Sequence, residues 1–192
     1  MVGDLTGDVS ANTGGGALWF ARIHGPLHGE TSGGGIHVSD CVGEIRVDTS
    51  GGAVKLAGGS GSFKGESSGG AIAVETFHGP VSVETSGGGI TIENVNGKVV
   101  GETSGGPIKA MIPSPVPDDV KLSTSGGGVT VTIPENAAFK LDAEASGGGI
   151  RCELPVTVQG NMERDRLKGT VNGGGPTLRL ESSGGGIRVK KL

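Results

Sequence analysis

Aromatic side chains make up only 3% of this 192-residue chain; Tyr is absent and Trp19 is the only Trp. Domain cores usually draw much of their buried area from aromatic rings, so this interior has to be built from Ile, Val and Leu. Basic clusters are also missing. Lys and Arg number 16 against 20 Asp and Glu, net charge is −4, and the cations are scattered. No basic footprint for nucleic acid is present. No run approaches the roughly 18 apolar residues of a membrane-spanning helix, and no signal peptide opens the chain. Met1-Val2-Gly3 runs straight into repeat-like sequence, so an export signal is expected to lie upstream. The two cysteines, Cys41 and Cys152, leave the redox compartment open. His24, His28, His37 and His78 share no metal-ligand spacing.

What the chain has in abundance is glycine, at 41 positions. Collagen is excluded because the glycines do not recur every third residue. Disorder is disfavoured because nearly every glycine cluster precedes an alternating apolar run, such as Ile36-His37-Val38 or Ile90-Thr91-Ile92. The clusters repeat one phrase, Thr-Ser-Gly-Gly-Gly-Ile. It is whole at Thr31 to Ile36 and Thr85 to Ile90, with variants at Thr13, Thr49, Ser67, Thr103, Thr124, Ala145 and Ser182. Self-similarity at a fixed period marks a repeat architecture.

The spacing is strict in the first half. Gly15, Gly33, Gly51, Gly69, Gly87 and Gly105 stand 18 apart, and so do Gly7, Gly25, Gly43, Gly61, Gly79 and Gly97. Each 18-residue unit therefore carries two turns, each followed by a period-two run, the mark of half-buried strands between turns. Stacked coils set equivalent residues one strand spacing apart, about 4.8 Å, which rewards a fixed register; meandering hairpins gain nothing from one. The spacing predicts an all-β, single-stranded parallel β-helix (a β-solenoid), with the right hand that parallel crossovers favour. Its inner ladders are Leu18, Ile36, Val54, Ile72, Ile90, Ile108; Phe20, Val38, Leu56, Val74, Ile92, Ala110; and, at a corner, Ile23, Cys41, Gly59, Phe77, Val95. In the ladder Gly29, Val47, Gly65, Val83, Gly101, each Gly is expected to make room for Val branches above and below.

One domain, 1–192, is expected: regular coils over 1–110, then coils with longer Pro-containing loops and a C-terminal cap over 111–192. Met111 to Asp119 is too Pro-rich for a central strand, and Gly126 and Gly147 are 21 apart rather than 18. Gln159 to Arg166 reads as a loop and Gly173 to Leu180 as an extra strand. Ser182 to Val189 reads as the last coil, with Lys190 and Lys191 guarding an exposed edge.

Several motifs invite functional readings. The glycine clusters lack the Lys-Ser/Thr and helix of a phosphate loop. They also lack the turn Asp of calcium-binding nonapeptide rolls. Glycine there is expected for turns with positive φ. The Thr ladder (Thr31, Thr49, Ser67, Thr85, Thr103) is expected to face inward, and the adjacent Ser32, Ser50, Ser68, Ser86 and Ser104 to cap turn amides. Glu30, Asp48, Glu66, Glu84 and Glu102 form an outward carboxylate ladder, continued by Glu144 and Glu181. Like charges on neighbouring strands repel; His28, Arg46 and Lys64 can offset the first three. Ser82 and Val100 stand beside Glu84 and Glu102, which makes that pair a candidate cation site. Asp118 and Asp119 are expected to face solvent. No catalytic set converges, and Cys41 and Cys152 lie several coils apart, beyond the ~7 Å Cα limit for a disulfide.

The stretches Ile133-Pro134, Leu154 to Gly160, Gly173 to Leu180 and Gly186 to Val189 complete a pattern. The chain resembles a bacterial family of adhesin-like domains of unknown function. Members repeat Ser-Gly-Gly or Ser-Gly-Asp units, carry apolar-Pro loops and finish with a Gly-Ile-Arg-Val strand. The resemblance implies a β-helical fold, a periplasmic, extracellular or other cell-envelope setting, and no catalytic residues or cofactor. Three functions are then open. One is a non-enzymatic structural or adhesive solenoid, monomeric or weakly associated end to end, whose partner is a cell-surface glycan or protein. Another is a carbohydrate-binding or carbohydrate-cleaving β-helix, with its groove beside Pro113 to Asp119 and Gln159 to Arg166. The last is an intracellular scaffold that polymerises through its end coils.

Overall fold

A computed structural model describes residues 1–158 and 165–192 of the chain. Among these the structure is all-β, without a helix: stacked parallel coils form a β-solenoid of about 7 turns of roughly 18 residues. Where the two strands of a coil are separate they alternate down the chain: β1 (Val2–Thr6), β2 (Val9–Thr13), β3 (Leu18–His24) and β4 (Leu27–Thr31). β5 (Ile36–Thr49) and β6 (Val54–Ser67) each run unbroken through both. Separate strands resume with β7 (Ile72–His78), β8 (Val81–Thr85), β9 (Ile90–Asn96), β10 (Val99–Thr103) and β11 (Ile108–Met111). The register is the 18-residue one: Leu18 faces Ile36, Ile36 faces Val54, Val54 faces Ile72, Ile72 faces Ile90 and Ile90 faces Ile108. The predicted inner ladders are buried from Phe20 to Ala110, and the corner ladder Ile23, Cys41, Phe77, Val95 with them.

Three corners shape each coil. At the Thr-Ser-Gly-Gly-Gly corner, none of the glycines from Gly14 to Gly106 has the positive φ expected from the sequence. Glycine is required there by close approach instead. A Cβ on Gly34, Gly52, Gly70, Gly88 or Gly106 would fall on the carbonyl of the corner one coil before. Positive φ belongs to the second corner, at Gly25, Gly43, Gly61, Gly79 and Gly97. The third corner passed unnoticed in the sequence. Asp4, Arg22, Asp40, Gly58, Thr76 and Asn94 recur every 18 residues, all with φ between 49° and 77°. Asp, Asn and Gly tolerate this conformation, whereas a β-branched residue is strained in it. Thr76→Gly is expected to raise unfolding stability by about 0.5–1 kcal/mol, since αL strain of about 1–2 kcal/mol is relieved against a smaller entropic loss. An unchanged or lower midpoint in urea denaturation would contradict this.

The hydroxyl that caps the glycine corner is that of Thr, not of the adjacent Ser. Thr49 Oγ1 donates to the Gly34 carbonyl at 2.8 Å and accepts from the Gly52 N–H at 3.2 Å. The same double contact is made by Thr31, Ser67, Thr85, Thr103, Thr124 and Ser182. Ser32, Ser50, Ser68, Ser86 and Ser104 are exposed instead, and their backbone N–H groups bond the carbonyl of the Thr (Ser67 for Ser86) of the preceding coil. Alternation explains the exchange: the inward position can reach both coils, and the next one points to solvent.

The glycines at 29, 65 and 101 make room differently from the expectation. A Cβ on Gly29 would sit 2.8 Å from the Phe20 ring, one on Gly65 2.9 Å from the Phe63 ring, and one on Gly101 3.0 Å from Leu122. Val47 and Val54 branches lie farther off, at 3.5 and 3.6 Å from Gly29 and Gly65. Each gap is filled chiefly by a large side chain: Phe20 from the other strand of the coil, Phe63 from two residues earlier on the same strand, and Leu122 from the register partner on the next coil. Gly65→Val should therefore overpack against Phe63 and cost about 1–3 kcal/mol; thermal melting of the single variant checks this.

The far end departs from chain order. β12 (Val120–Thr124) and β13 (Val129–Ile133) stack normally on β10 and β11. The next coil in sequence, β14 (Phe139–Ala145) with β15 (Ile150–Cys152), does not stack on them. The C-terminal coil, β18 (Thr177–Ser182) and β19 (Ile187–Lys191), slides between. β18 pairs in parallel with β12 and β14, and β19 with β13 and β15. Ser182 to Val189 is thus the last coil in sequence but not in space, and Lys190 and Lys191 guard no end edge. Hydroxyl continuity accounts for the order: Ser182 Oγ donates to the Gly127 carbonyl at 2.8 Å, a bond that Ala145 cannot make. Ala145 sits one coil farther out, where the relay ends.

The end is closed by antiparallel strands. β17 (Arg166–Val171) runs against β14, and the two-residue β16 (Thr157–Val158) runs against β17. Arg166 therefore opens a strand rather than closing a loop; residues 159–164 of the predicted loop lie outside the described residues. The excursion from Ile112 to Asp119 has no strand, as expected, and it buries Ile112 and Val116.

Candidate functional site

The predicted carboxylate ladder stands in register on the outer face. Asn12, Glu30, Asp48, Glu66, Glu84, Glu102, Ser123, Glu181 and Glu144 follow one another across neighbouring strands. Glu144 and Glu181 stand in reverse of their sequence order because of the inserted coil. Repulsion along the row is offset locally. Asn12 Nδ2 donates to Glu30 at 3.1 Å, Lys64 pairs with Glu66 at 2.5 Å, and Arg179 with Glu181 at 2.6 Å. Arg46 turns to Glu44 at 3.3 Å rather than to Asp48. Asp48 is left between Glu30 and Glu66, and desolvation followed by those two charges raises its pKa above the usual 3.8.

That shift has a signed consequence. Between pH 3.8 and the raised value, folded Asp48 holds more proton than unfolded Asp48, so its contribution to stability is lost as pH rises through this window. Asp48→Asn is expected to be more stable than the parent at neutral pH. The advantage should shrink as pH falls below the ordinary aspartate value. Chemical denaturation from pH 3 to 7 checks this; a pH-independent difference would contradict it.

The candidate cation pair is brought together, Glu84 facing Glu102 in register. Glu102, however, does not lack a partner. Lys121, diagonally placed on β12, reaches it at 2.6 Å, and the contact raises the lysine pKa. Residue spacing on one coil missed this, because the partner comes from the next coil after a 21-residue interval. Among the described residues, no group of three or more His, Cys, Asp or Glu is arranged to hold a metal ion.

The other predicted residues serve the fold. Asp119, although exposed, accepts the Thr177 N–H at 2.6 Å and ties the Pro-rich excursion to the inserted strand β18. Asp118 accepts the Asp119 N–H at 2.7 Å. Both cysteines are free; burial pushes both thiols up, which makes them poor nucleophiles. At the third corner, Arg22 clasps Asp4 one coil earlier with bonds of 2.5 and 2.7 Å, and the hydrogen bond holds the Asp4 carboxyl below its usual range.

Sequence reasoning gave no role to the outer row of the other face. There Trp19 stacks on His37, one coil on, with ring centroids 4.0 Å apart and planes 9° apart. Farther along the same row stand Lys109, Thr130, Arg188 and Arg151. The signal available was the 18-residue offset between the lone Trp and a His.

Parallel coils locked by a buried hydroxyl relay, with outer rows of charge, define a β-solenoid repeat domain. No helix is long and apolar enough to cross a membrane among the described residues. The chain belongs to the Toastrack DUF4097 family, whose profile matches residues 6–190. No curated protein and no solved structure matches the chain.

Proposed function

We propose that this solenoid is a non-catalytic scaffold or adhesive surface of a bacterial cell envelope. The observation that carries the reading is the duty already held by the corner hydroxyls and by three carboxylates of the outer row. The buried hydroxyls are engaged in the corner relay, and each donates to a carbonyl of the coil before. Glu66, Glu102 and Glu181 are held by cations on an exposed row. A glycosidase needs a general acid with a raised pKa and a partnered carboxylate across a bound sugar. The salt-bridged members are poorly suited to donate a proton, since a neighbouring cation favours the charged form.

The polymerising alternative has less support. The antiparallel β16–β17 pair covers the C-terminal end of one side of the stack, leaving no parallel edge there for the next copy to continue. The test of the leading reading is incubation with a panel of plant, fungal and bacterial polysaccharides. No product is expected. Turnover abolished by changing one carboxylate would replace the scaffold reading with an enzymatic one. Fractionation of source cells should place the protein with the envelope; recovery in the cytosol would sink that location.

A further inference from the structure

The outer row that holds Trp19 carries no carboxylate. In register it reads Trp19, His37, Lys55, Ala73, Thr91, Lys109, Thr130, Arg188 and Arg151. Its far end sets two arginines against each other, Arg188 on β19 and Arg151 on β15. Their Cα atoms lie one strand spacing apart, roughly 4.8 Å, and both residues are exposed. Like charges opposite each other on neighbouring strands repel. Elsewhere the chain offsets such charges: Lys64 meets Glu66, Arg179 meets Glu181, and Lys55 of this same row meets Glu75 at 3.0 Å. Arg151 and Arg188 have no carboxylate partner among the described residues. Glu153, two residues after Arg151, instead accepts the backbone N–H of Lys191 at 3.3 Å.

The same two arginines line a cleft of about 450 Å³, together with Thr130, Gly148, Gly149 and Gly186. Gly149 has no packing reason to be glycine. Its φ is not positive, and a Cβ on it would meet nothing within 4 Å among the described residues. Ala53, Ala71 and Pro107 stand at the matching place of other corners. Gly128 and Gly186, also at that place, are required by close approach, since a Cβ there would lie 2.8 and 2.9 Å from a carbonyl oxygen. Glycine at 149 leaves bare backbone beside two unpaired guanidinium groups, as close approach of a ligand requires.

We infer that this cleft binds a tetrahedral oxyanion, the terminal phosphate or sulfate group of a small molecule or the free ion itself. An arginine fork takes two oxygens of an anion at once. A carboxylate has a single O–O edge and satisfies one fork. A terminal phosphate or sulfate has three free oxygens and so offers an edge to each of two forks on adjacent strands. Thr130, register partner of Arg188, brings a neutral hydroxyl donor into the same cleft. The bound anion removes the repulsion between the arginines, which the chain's own carboxylates leave standing. The inference goes beyond the scaffold reading and does not depend on it.

Calorimetric titration of the full chain at low ionic strength tests this, with inorganic phosphate, sulfate and glucose 6-phosphate as probes. At least one should bind saturably, and added sodium chloride should weaken it. Arg151→Gln and Arg188→Gln should each weaken binding at least about tenfold, the worth of one hydrogen-bonded charge. Lys98→Gln removes the same charge from an exposed corner of an earlier coil and should leave binding unchanged. Gly149→Val, which the open space accommodates, should keep the unfolding midpoint and lower affinity by filling the cleft. Glucose 6-phosphate binding tighter than phosphate would assign the anion to a phosphorylated sugar; the reverse order would assign the free ion, and both support the site. No heat with any probe, together with unchanged amide shifts at Gly148 and Gly149, would overturn the inference. So would acetate binding as tightly as phosphate, or equal losses in Lys98→Gln and the arginine variants. Each of these failures leaves the scaffold reading standing.

Discussion

Gly88→Ala is expected to destabilise the chain by about 3 kcal/mol, the upper part of the range for overpacking. The added Cβ would fall on the Gly70 carbonyl, a backbone group that moves only if two coils separate. No rotamer change can relieve that contact. Gly16→Ala supplies the control, because Gly16 is the matching position of the first corner and a Cβ there meets only the Thr13 side chain, at 3.4 Å. It should lie within about 0.5 kcal/mol of the parent. Urea unfolding of both variants separates close approach from a need for positive φ. Equal destabilisation of the two would mean that the corner requires glycine for its backbone conformation after all.

Thr85→Val carries the second large effect. Val has nearly the shape of Thr but removes the hydroxyl that donates to the Gly70 carbonyl at 2.8 Å and accepts from the Gly88 N–H. Thr85 is buried and Gly70 and Gly88 are half-buried, so both partners would lose their hydrogen bond in a largely dry corner. Each unsatisfied buried group costs about 1–3 kcal/mol, and a total loss of about 2–4 kcal/mol is expected. Thr85→Ser should cost only about 1 kcal/mol, the worth of the missing methyl. Ser67 and Ser182 already make the same two contacts. A Thr85→Val variant as stable as the parent, measured by equilibrium denaturation, would remove the hydroxyl relay from the account of what holds the coils.

The solenoid was legible in the sequence because its physics repeats. Ile36, Val54, Ile72, Ile90 and Ile108 stand at one place in successive coils, and burying a ladder rewards a β-branched apolar side chain each time. The third corner was not legible. Asp4, Arg22, Asp40, Gly58, Thr76 and Asn94 share a backbone conformation but no chemistry, so the eye finds no motif. Thr and Ser exchanged roles because adjacent hydroxyls look equivalent until alternation fixes which one faces the stack.

The inserted coil was missed for a different reason. Chain order is a good guide to spatial order when every coil can stack on every other, but the coils here are not interchangeable. Ala145 lacks the hydroxyl that Ser182 offers to Gly127, and β17 folds back on β14 and covers it from outside. Of the candidate site, the carboxylate row could be read from the 18-residue period. The pairing of Glu102 with Lys121 could not, because it is diagonal and crosses the first 21-residue interval. The Trp19–His37 stack had only one 18-residue offset, between the lone Trp and a His, to announce it.

The account depends most on the stacking order, because the relay, the closed end and the reversed carboxylate row all follow from it. Cysteine pairs test it directly, in a background with Cys41→Ala and Cys152→Ala. Thr130 and Arg188 are register partners on β13 and β19, so their Cα atoms lie about one strand spacing apart, within disulfide range. Arg151 lies one strand farther, at about 9–10 Å and out of range. Thr130→Cys with Arg188→Cys should oxidise to a disulfide, and Thr130→Cys with Arg151→Cys should not. The opposite result would mean that the coils stack in chain order and would contradict the account.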